Sequence, residues 1–312
     1  VRREGRLQFL VSFMIAVTSQ PKPSLKAPSH AGTQRDLTSS EDAAIYAKHS
    51  VLREGRWVKI RVPESGIYQL TSQLARQAGF SDLSRVRIFG YGGNLQNEEL
   101  HKSDLAATDD LPEVASTMVG DRRLFYAKGP VSWENKEATR RTRNPYSDYG
   151  YYFLTETDGK TPLMVDSAQF IADCYPLADD YHALREVDNF SWYQGGRNLF
   201  ENDPIEQGKS RTYVFSHPAG ENRMANLTIA VTAGAAASVQ YRLNGKDLGN
   251  ASLRLSSYNA AVEAENTYKI EHTTSDTITV TTLSGGPVRM DYISYAYERP
   301  KPQPRLATDP FP

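Results

Sequence analysis

The chain has 312 residues, which is enough for about two domains of ordinary size. Its 36 basic and 37 acidic side chains leave a net charge of −1. This balance argues against a nucleic-acid-binding protein, because such proteins rely on a strong basic field. The single cysteine, Cys174, excludes an intramolecular disulfide framework and a cysteine-based zinc cluster, although it does not by itself exclude a cysteine nucleophile.

Residues 1–19 have the pattern of a secretory signal peptide. Three arginines among the first six residues precede an apolar run at 7–17, and small residues follow it at a suitable cleavage point. The run is shorter than the ~20 residues that a membrane-spanning helix needs. The alternative interpretation is a buried N-terminal strand or helix. Residues 20–50 are rich in Pro, Ser, Thr and charge, and we expect a disordered mature N-terminus there.

The chain is predicted to be mainly β, with residues 51–185 forming a small β-rich domain that has one short helix. Residues 57–62 alternate in polarity, which is typical of a half-buried strand. A turn and a second strand at 67–70 complete a predicted hairpin. Thr71 is a suitable N-cap for a helix over residues 72–78. Further strands are predicted at residues 86–90, 123–127 and 149–155.

Residues 186–299 are predicted to form a jelly-roll-like β-sandwich, separated from the first domain by a loop at 177–188. Strands at intervals of about ten residues, with almost no helical period, favour this architecture. Asn244-Gly245 is the favoured dipeptide for a two-residue hairpin. The proline-rich residues 300–312 are expected to be an extended linker. The strands of the sandwich are predicted at residues 226–233, 238–243, 277–281 and 288–297.

The candidates for catalytic chemistry are few. Asp109, Asp110 and Glu113, at the end of a predicted acidic loop (residues 96–113), could supply the carboxyl pair that glycoside hydrolysis needs, but neighbouring acids on a loop usually face water. Cys174 would need a nearby base to act as a nucleophile, and a packed structural thiol is the favoured interpretation. The sequence therefore predicts no catalytic, cofactor-binding or metal-ligating residue, while a structural calcium ion in the sandwich stays open.

Two groups of side chains could contact a partner. Arg140, Arg141 and Arg143 lie close to several tyrosines and could grip an acidic or glycan partner, but a solvated loop is the favoured interpretation. Trp133 and Trp192 could form a platform on which a sugar stacks. Core packing or a seam between the domains is favoured for both tryptophans.

Five stretches of the first predicted domain and three of the second carry a family resemblance. They are residues 57–68 (WVKIRVPESGIY), 86–93 (VRIFGYGG), 109–114 (DDLPEV), 124–133 (LFYAKGPVSW), 144–155 (NPYSDYGYYFLT), 244–245, 291–293 and 297–299. In order and spacing they resemble the N-terminal region of the gingipain-like cysteine peptidases that act as sortases of the type IX secretion system. The resemblance covers about residues 50–299.

The resemblance implies an exported precursor whose N-terminal β-domains precede a caspase-like catalytic domain with a His–Cys pair. In the family, that domain cleaves C-terminal sorting signals from secreted cargo and attaches the cargo at the outer-membrane surface. The resemblance stops near Arg299, before any catalytic motif, so no catalytic residue is carried over.

These features together predict a non-catalytic N-terminal sortase module, exported to the periplasm or the outer-membrane surface. Its partners would be secreted cargo proteins and outer-membrane secretion components. One alternative is a stand-alone secreted glycan-binding or adhesin module, and another is a small hydrolase that uses Asp109, Asp110 and Glu113.

Overall fold

The computed structural model describes residues 2–3, 6–7, 46–156, 159–175, 177–192, 198–217, 223–297 and 305–306. The chain divides into two compact units, residues 1–45 and residues 46–312. In the first unit, the short strands β1 (Arg2–Arg3) and β2 (Arg6–Leu7) pair antiparallel. The remainder of the predicted signal peptide and the N-terminus up to residue 45 lie outside the described residues. No helix among the described residues is long and apolar enough to cross a membrane.

The second unit is mainly β, as predicted, and begins with a part that we call the first β-region (residues 46–175). Its strands are β3 (Trp57–Val62), β4 (Gly66–Leu70), β5 (Val86–Gly92), β6 (Ser116–Val119), β7 (Arg122–Ala127), β8 (Val131–Trp133), β9 (Arg141–Arg143) and β10 (Gly150–Glu156). Its helices are α1 (Ser72–Gln77), α2 (Lys102–Ala107) and α3 (Ser167–Cys174). Single 3₁₀ turns lie at Val51–Arg53 and Leu83–Arg85.

The first β-region packs two antiparallel sheets around one core. One sheet has the order β3-β10-β5 and the other contains β4-β7-β6, while β8 and β9 form a separate hairpin. Ile60 and Val62 are fully buried in this core, which confirms the inward face predicted from the alternation. Residues of α1 complete the core, and its predicted N-cap is confirmed because the Thr71 side chain accepts a hydrogen bond from the Leu74 amide at 3.2 Å.

The predicted hairpin of β3 and β4 is wrong. β3 pairs with β10, and β4 pairs with β7, so the intervening turn carries the chain from one sheet to the other. Both strands bury one face in the shared core, Ile60 on β3 and Tyr68 on β4. Alternation predicts which face of a strand is buried but does not identify the neighbouring strand.

The described part of the chain contains two α-helices beyond the one that was predicted. α2 lies inside the predicted acidic loop, and its start is stabilised because the Asp104 carboxylate accepts the His101 amide at 2.9 Å. α3 begins at an Asp166 cap whose carboxylate accepts the amide of Ala168 at 2.8 Å. Both have eight residues or fewer, so they show too little helical period to stand out in the sequence.

The second part of the unit, residues 182–297, is a β-sandwich that we call the sandwich. Its strands are β11 (His182–Glu186), β12 (Ser210–Ser216), β13 (Arg223–Ala233), β14 (Ala237–Leu243), β15 (Lys246–Leu253), β16 (Val262–His272), β17 (Ser275–Gly285) and β18 (Val288–Ala296). They form two four-stranded antiparallel sheets with the orders β11-β18-β13-β16 and β12-β17-β14-β15. This alternation of strands between two sheets is the jelly-roll arrangement that the sequence predicts.

The inner faces of both sheets meet in one apolar core. Leu227, Ile229 and Val231 of β13 are fully buried there, as their spacing predicts. The hairpin of β14 and β15 is also confirmed: Asn244 and Gly245 have φ values of 50° and 80° at its turn. Two consecutive residues with positive φ are what a type I′ turn requires, and Asn-Gly is the dipeptide that tolerates them best.

The predicted loop at 177–188 is wrong over most of its length. It contains a 3₁₀ turn (Ala178–Tyr181) and β11, which pairs with β18 along the edge of the first sheet. The domain boundary predicted between residues 185 and 186 therefore falls inside a strand. β11 has only five residues and no strong alternation, so its pairing with a distant strand is what defines it.

Two residues of the proline-rich tail also pair. Strand β19 (Arg305–Leu306) lies parallel to β4, opposite Tyr68 and Gln69, at the edge of the second sheet of the first β-region. The rest of the predicted linker at 300–312 lies outside the described residues.

Candidate functional site

The arginine-rich segment lies against the sandwich. Its predicted solvated loop is wrong for Arg141 and Arg143, which belong to β9 and have side chains only 12% and 22% exposed. The neighbouring Arg140 remains in solvent with 82% exposure. The β8–β9 hairpin and its connection, residues 131–143, therefore form a contact between the first β-region and the sandwich, which we call the seam.

The two buried arginines join a set of carboxylates from the sandwich. The Arg141 guanidinium lies 2.5 Å from Glu186 and 2.9 Å from Asp291. The Arg143 guanidinium lies 3.4 Å from Glu186 and 2.6 Å from Asp188. We call these five side chains the ion-pair cluster. Because its charges are paired across the seam, each partner satisfies a group that would otherwise be buried without a counter-ion.

A bulge in β18 positions the sandwich side of this cluster. Ile293 pairs with Ile229, while Met290 pairs with Val231, so β18 has one extra residue over this stretch. Met290 and Ile293 both point into the core, and Asp291 and Tyr292 between them do not belong to it. A bulge commonly redirects side chains in this way, and here it presents a carboxylate and a phenol to the seam.

The Tyr292 ring packs against the Arg141 guanidinium. The guanidinium lies 4.0 Å from the ring centroid, and the Tyr292 hydroxyl donates to Glu265 at 2.7 Å. Asn198 bridges Arg141 and Asp291. Its side-chain carbonyl oxygen accepts a hydrogen bond from the Arg141 guanidinium at 3.2 Å, and its side-chain NH₂ group donates to the Asp291 carboxylate at 3.3 Å. The planar guanidinium is thereby fixed in orientation, which favours directional pairing over a loose charge contact.

The ion-pair cluster contains three carboxyl groups and two guanidinium groups. Burial raises the pKa of Asp291 to about 7, although Arg141 and Asn198 oppose the shift. Burial, together with the nearby Glu186 charge, raises the pKa of Asp188 to about 6. Asp188 Oδ1 is buried and has no hydrogen-bond partner among the described residues. The excess negative charge thus favours uptake of a proton near neutral pH.

Uncharged contacts extend the seam beyond the cluster. His182 Nε2 lies 2.6 Å from the Ala138 carbonyl oxygen, and the Ser294 hydroxyl donates to the Thr139 carbonyl at 2.6 Å. The Trp133 ring stacks on His182 with centroids 3.9 Å apart and an angle of 3°. Trp133 therefore occupies an interdomain seam, the packing interpretation favoured from the sequence.

Trp192 packs on the sandwich. Its indole N–H donates to the Thr232 hydroxyl at 3.0 Å, and its ring contacts Phe190 edge to face. A Cβ atom added at Gly234 would lie 2.5 Å from the indole, so the ring is pressed against that backbone. These contacts agree with the packing interpretation for Trp192.

The acidic residues considered for hydrolysis hold backbone and side chains in place. Asp109 accepts the amide of Ala47 at 2.6 Å, and Asp110 accepts the amide of Val51 at 2.6 Å. Glu113 forms a two-point ion pair with Arg87, whose shorter contact is 2.6 Å. The pKa values of Asp110 and Glu113 are lowered: burial opposes this shift, and hydrogen bonds outweigh it. A general acid needs the opposite shift.

Replacing Asp110 by alanine should loosen the segment that it holds. We expect the Val51 amide, which loses its acceptor, to exchange with solvent at least about tenfold faster in a hydrogen-exchange measurement, because exchange follows local opening. Asp121→Ala, on an exposed turn, is the matched control and should leave Val51 unchanged. Equal exchange at Val51 in wild type and Asp110→Ala would contradict this role.

Cys174 is the last residue of α3 and is half-buried. Burial, with a further contribution from the Asp173 charge, raises the pKa of its thiol. A raised pKa reduces the thiolate fraction, and the thiolate is the nucleophilic form. Its surroundings therefore suit a packing residue.

The structure brings together residues that the sequence analysis did not select. Glu186, Asp188 and Asn198 carry no motif, and Asp291 was noted only within a resembling stretch. One signal was available: Asp291 interrupts an otherwise apolar and aromatic strand, where an acidic residue needs a partner. Among the described residues, no group of three or more His, Cys, Asp or Glu side chains is placed to hold a metal ion, and a structural calcium ion in the sandwich stays an open, untested alternative.

No protein-family model and no curated protein matches the chain. Among solved structures, the chain is similar to dimeric latent PorU from Porphyromonas gingivalis, with a TM-score of 0.65 and 26% sequence identity. The match covers 81% of this chain and 25% of the PorU chain. The chain therefore has a PorU-like fold. It spans about a quarter of the PorU chain that it matches.

Smaller matches are to carbohydrate-binding modules. A CBM36-1 domain of a multidomain xylanase from the hindgut metagenome of Trinervitermes trinervoides has a TM-score of 0.26 and 16% identity, covering 38% of this chain and 98% of that one. A family 35 module from Clostridium thermocellum has a TM-score of 0.26 and 18% identity, covering 38% and 89%. These similarities are too slight to support any argument about this chain, whereas the similarity to PorU extends over most of its length.

Proposed function

We propose that this chain is the non-catalytic N-terminal β-region of a gingipain-like cysteine peptidase that acts as a sortase in type IX secretion. The observation that carries the proposal is the PorU likeness over 81% of this chain but only 25% of PorU. The series of resembling sequence stretches supports it independently. Export through residues 1–19, to the periplasm or the outer-membrane surface, belongs to the same proposal.

In this role the chain presents one fixed surface to its partners. The ion-pair cluster and the Trp133–His182 stack join the first β-region to the sandwich, so the two parts keep a defined relative orientation. A fixed orientation lowers the entropic cost of binding, because less freedom is lost when a partner docks. Its partners would be the catalytic domain, secreted cargo and outer-membrane secretion components.

A peptidase assay distinguishes this non-catalytic role from a catalytic role. We expect the 312-residue chain to leave peptides that carry a type IX C-terminal sorting signal uncut, with wild type and Cys174→Ala behaving alike. Cleavage by the wild type that Cys174→Ala abolishes would overturn the non-catalytic assignment.

A chimeric PorU tests whether this chain can serve as the N-terminal region of a sortase. PorU of P. gingivalis would carry this chain in place of its own matching region, and processing of secreted cargo would be followed by immunoblot. We expect cargo processing to be retained. A chimera that is exported and folded but leaves cargo unprocessed, beside an active native PorU, would contradict the proposal.

A further inference from the structure

A second site lies at the opposite sheet of the first β-region, outside the seam. It is an open cleft of about 640 Å³, within the typical range of about 300–1,000 Å³ for ligand sites. Its floor is formed by Trp57 of β3 and Phe89 of β5, whose rings meet edge to face with centroids 5.3 Å apart. One wall is the 3₁₀ turn Val51–Arg53, and Lys160 lies on the rim. We call this site the tryptophan cleft.

Two carboxylates that have no catalytic arrangement, and one backbone carbonyl, fix the shape of this cleft. Asp110 fixes the wall through the Ser50 hydroxyl at 2.9 Å and the Val51 amide at 2.6 Å. Glu113 forms an ion pair with Arg87, and the Arg87 guanidinium lies 4.8 Å from the centroid of the Phe89 ring. The Trp57 indole N–H donates to the Glu54 carbonyl at 2.8 Å, which sets the orientation of the ring. The shape of the cleft is thus built before any ligand arrives.

The charges around the cleft cancel. Arg53, Arg87 and Lys160 line it with three positive charges, and Arg85 adds a fourth through its ion pair with the lining Glu156. Glu54 and Glu156 line it with two negative charges, and Asp110 and Glu113 add two more behind it. A strongly anionic or cationic ligand would gain little from such a balanced rim. Among the described residues, the apolar lining comes from Val51, Trp57 and Phe89, which is too little for a lipid tail.

A neutral sugar has the chemistry that this cleft matches. One face of a pyranose ring carries C–H groups that pack on the electron-rich face of an indole. Its hydroxyl groups can donate to carboxylates and accept from ammonium or guanidinium groups. Lys160 has no hydrogen-bond or ion-pair partner among the described residues, and the Arg53 side chain is 56% exposed. Both are therefore available to a ligand on the rim.

We infer that the tryptophan cleft binds a neutral pyranose unit of a glycan, with Trp57 as the stacking platform and Arg53 and Lys160 as hydroxyl-binding groups. This inference rests on the cleft alone and is independent of the proposed sortase role. A failure of either leaves the other standing, because the sortase assays do not report on sugar binding.

The test uses the full chain and defined hexasaccharides. Glucose, mannose, galactose and N-acetylglucosamine hexamers form the neutral set, and a galacturonic acid hexamer is the charged comparison. Binding is measured by titration calorimetry and by the indole N–H signals in NMR spectra. We expect saturable binding of at least one neutral hexamer and movement of the Trp57 signal. Trp57→Phe should weaken binding at least tenfold, and the control Trp192→Phe should leave it unchanged.

The rim variant Arg53→Ala/Lys160→Ala decides the matter if Trp57→Phe does not fold, because both replaced side chains are exposed. It should weaken the same binding severalfold while the thermal midpoint stays at the wild-type value. Three outcomes would overturn the inference: no neutral hexamer binds, only the galacturonic acid hexamer binds, or binding is lost in Trp192→Phe and retained in the cleft variants.

Discussion

Arg141→Ala is expected to lower the free energy of unfolding by about 3 kcal/mol, because breaking a buried ion pair leaves its partners without a counter-charge. The affected partners are Glu186 and Asp291, whose side chains are 1% and 4% exposed. Arg143 remains 3.4 Å from Glu186, and within the described part of the chain only Arg141 forms an ion pair with Asp291. Urea denaturation, followed by tryptophan fluorescence and by circular dichroism, measures the loss.

The neighbouring arginine provides the matched control. Arg140 is 82% exposed and only 3.9 Å from Glu265, and exposed pairs of this kind contribute about 0–1 kcal/mol. Arg140→Ala should therefore change the free energy of unfolding by less than about 0.5 kcal/mol. If Arg141→Ala and Arg140→Ala lowered the free energy of unfolding by the same small amount, the ion-pair cluster would not be stabilising the seam.

Asp291→Asn is expected to make the protein more stable than wild type at pH 8, by a margin that shrinks as the pH falls towards 4. The pKa of Asp291 is about 7 in the folded protein against a usual 3.8. Between these values the folded state binds more protons than the unfolded state, so the group's contribution to stability is lost as the pH rises towards 7. Asparagine has the shape of the protonated acid and carries no charge to bury.

The size of this effect follows from proton linkage. One proton bound only by the folded state changes stability by about 1.4 kcal/mol per pH unit. We therefore expect Asp291→Asn to gain about 2–3 kcal/mol over wild type between pH 5 and pH 8. Denaturation midpoints at half-unit pH steps measure the difference.

Tyr292→Phe is the control for the pH series. It removes the hydroxyl that donates to Glu265 in the same region but introduces no change in carboxyl groups. Burial raises the pKa of Tyr292 further above its usual value, so this phenol does not titrate between pH 5 and 8. Its pH profile should run parallel to that of wild type. An Asp291→Asn profile that also runs parallel would rule out Asp291 as the source of the pH dependence.

These two predictions bear on the proposed role. A module that positions a peptidase needs its two β-parts fixed to each other, and the seam is where that happens. Lowering the pH toward 6 protonates Asp291 and then Asp188, which removes the excess negative charge of the cluster. The seam is accordingly most stable on the acidic side of neutrality.

Much of the secondary structure follows from local pattern. The alternation around Ile229 predicted a strand with a buried face, Thr71 predicted a helix start, and Asn244-Gly245 predicted a tight hairpin. Each of these depends on a few neighbouring residues, because side-chain period and turn conformation are local properties. The short elements α2, α3 and β11 were not predicted, because five to eight residues show too little hydrophobic periodicity.

The sequence by itself determined that this is a mainly β chain with a jelly-roll-like sandwich, and it indicated the PorU-like character of its strands. Only the tertiary structure decided what the polar residues do. Arg141 became a buried seam residue and Asp110 became a tether, although both were expected on solvated loops. The reason is physical: the burial and pKa of a charged group depend on which distant residue lies beside it. The contacts of Arg141 with Asp291 span 150 positions of the chain, so the pairing exists only once both β-parts have folded.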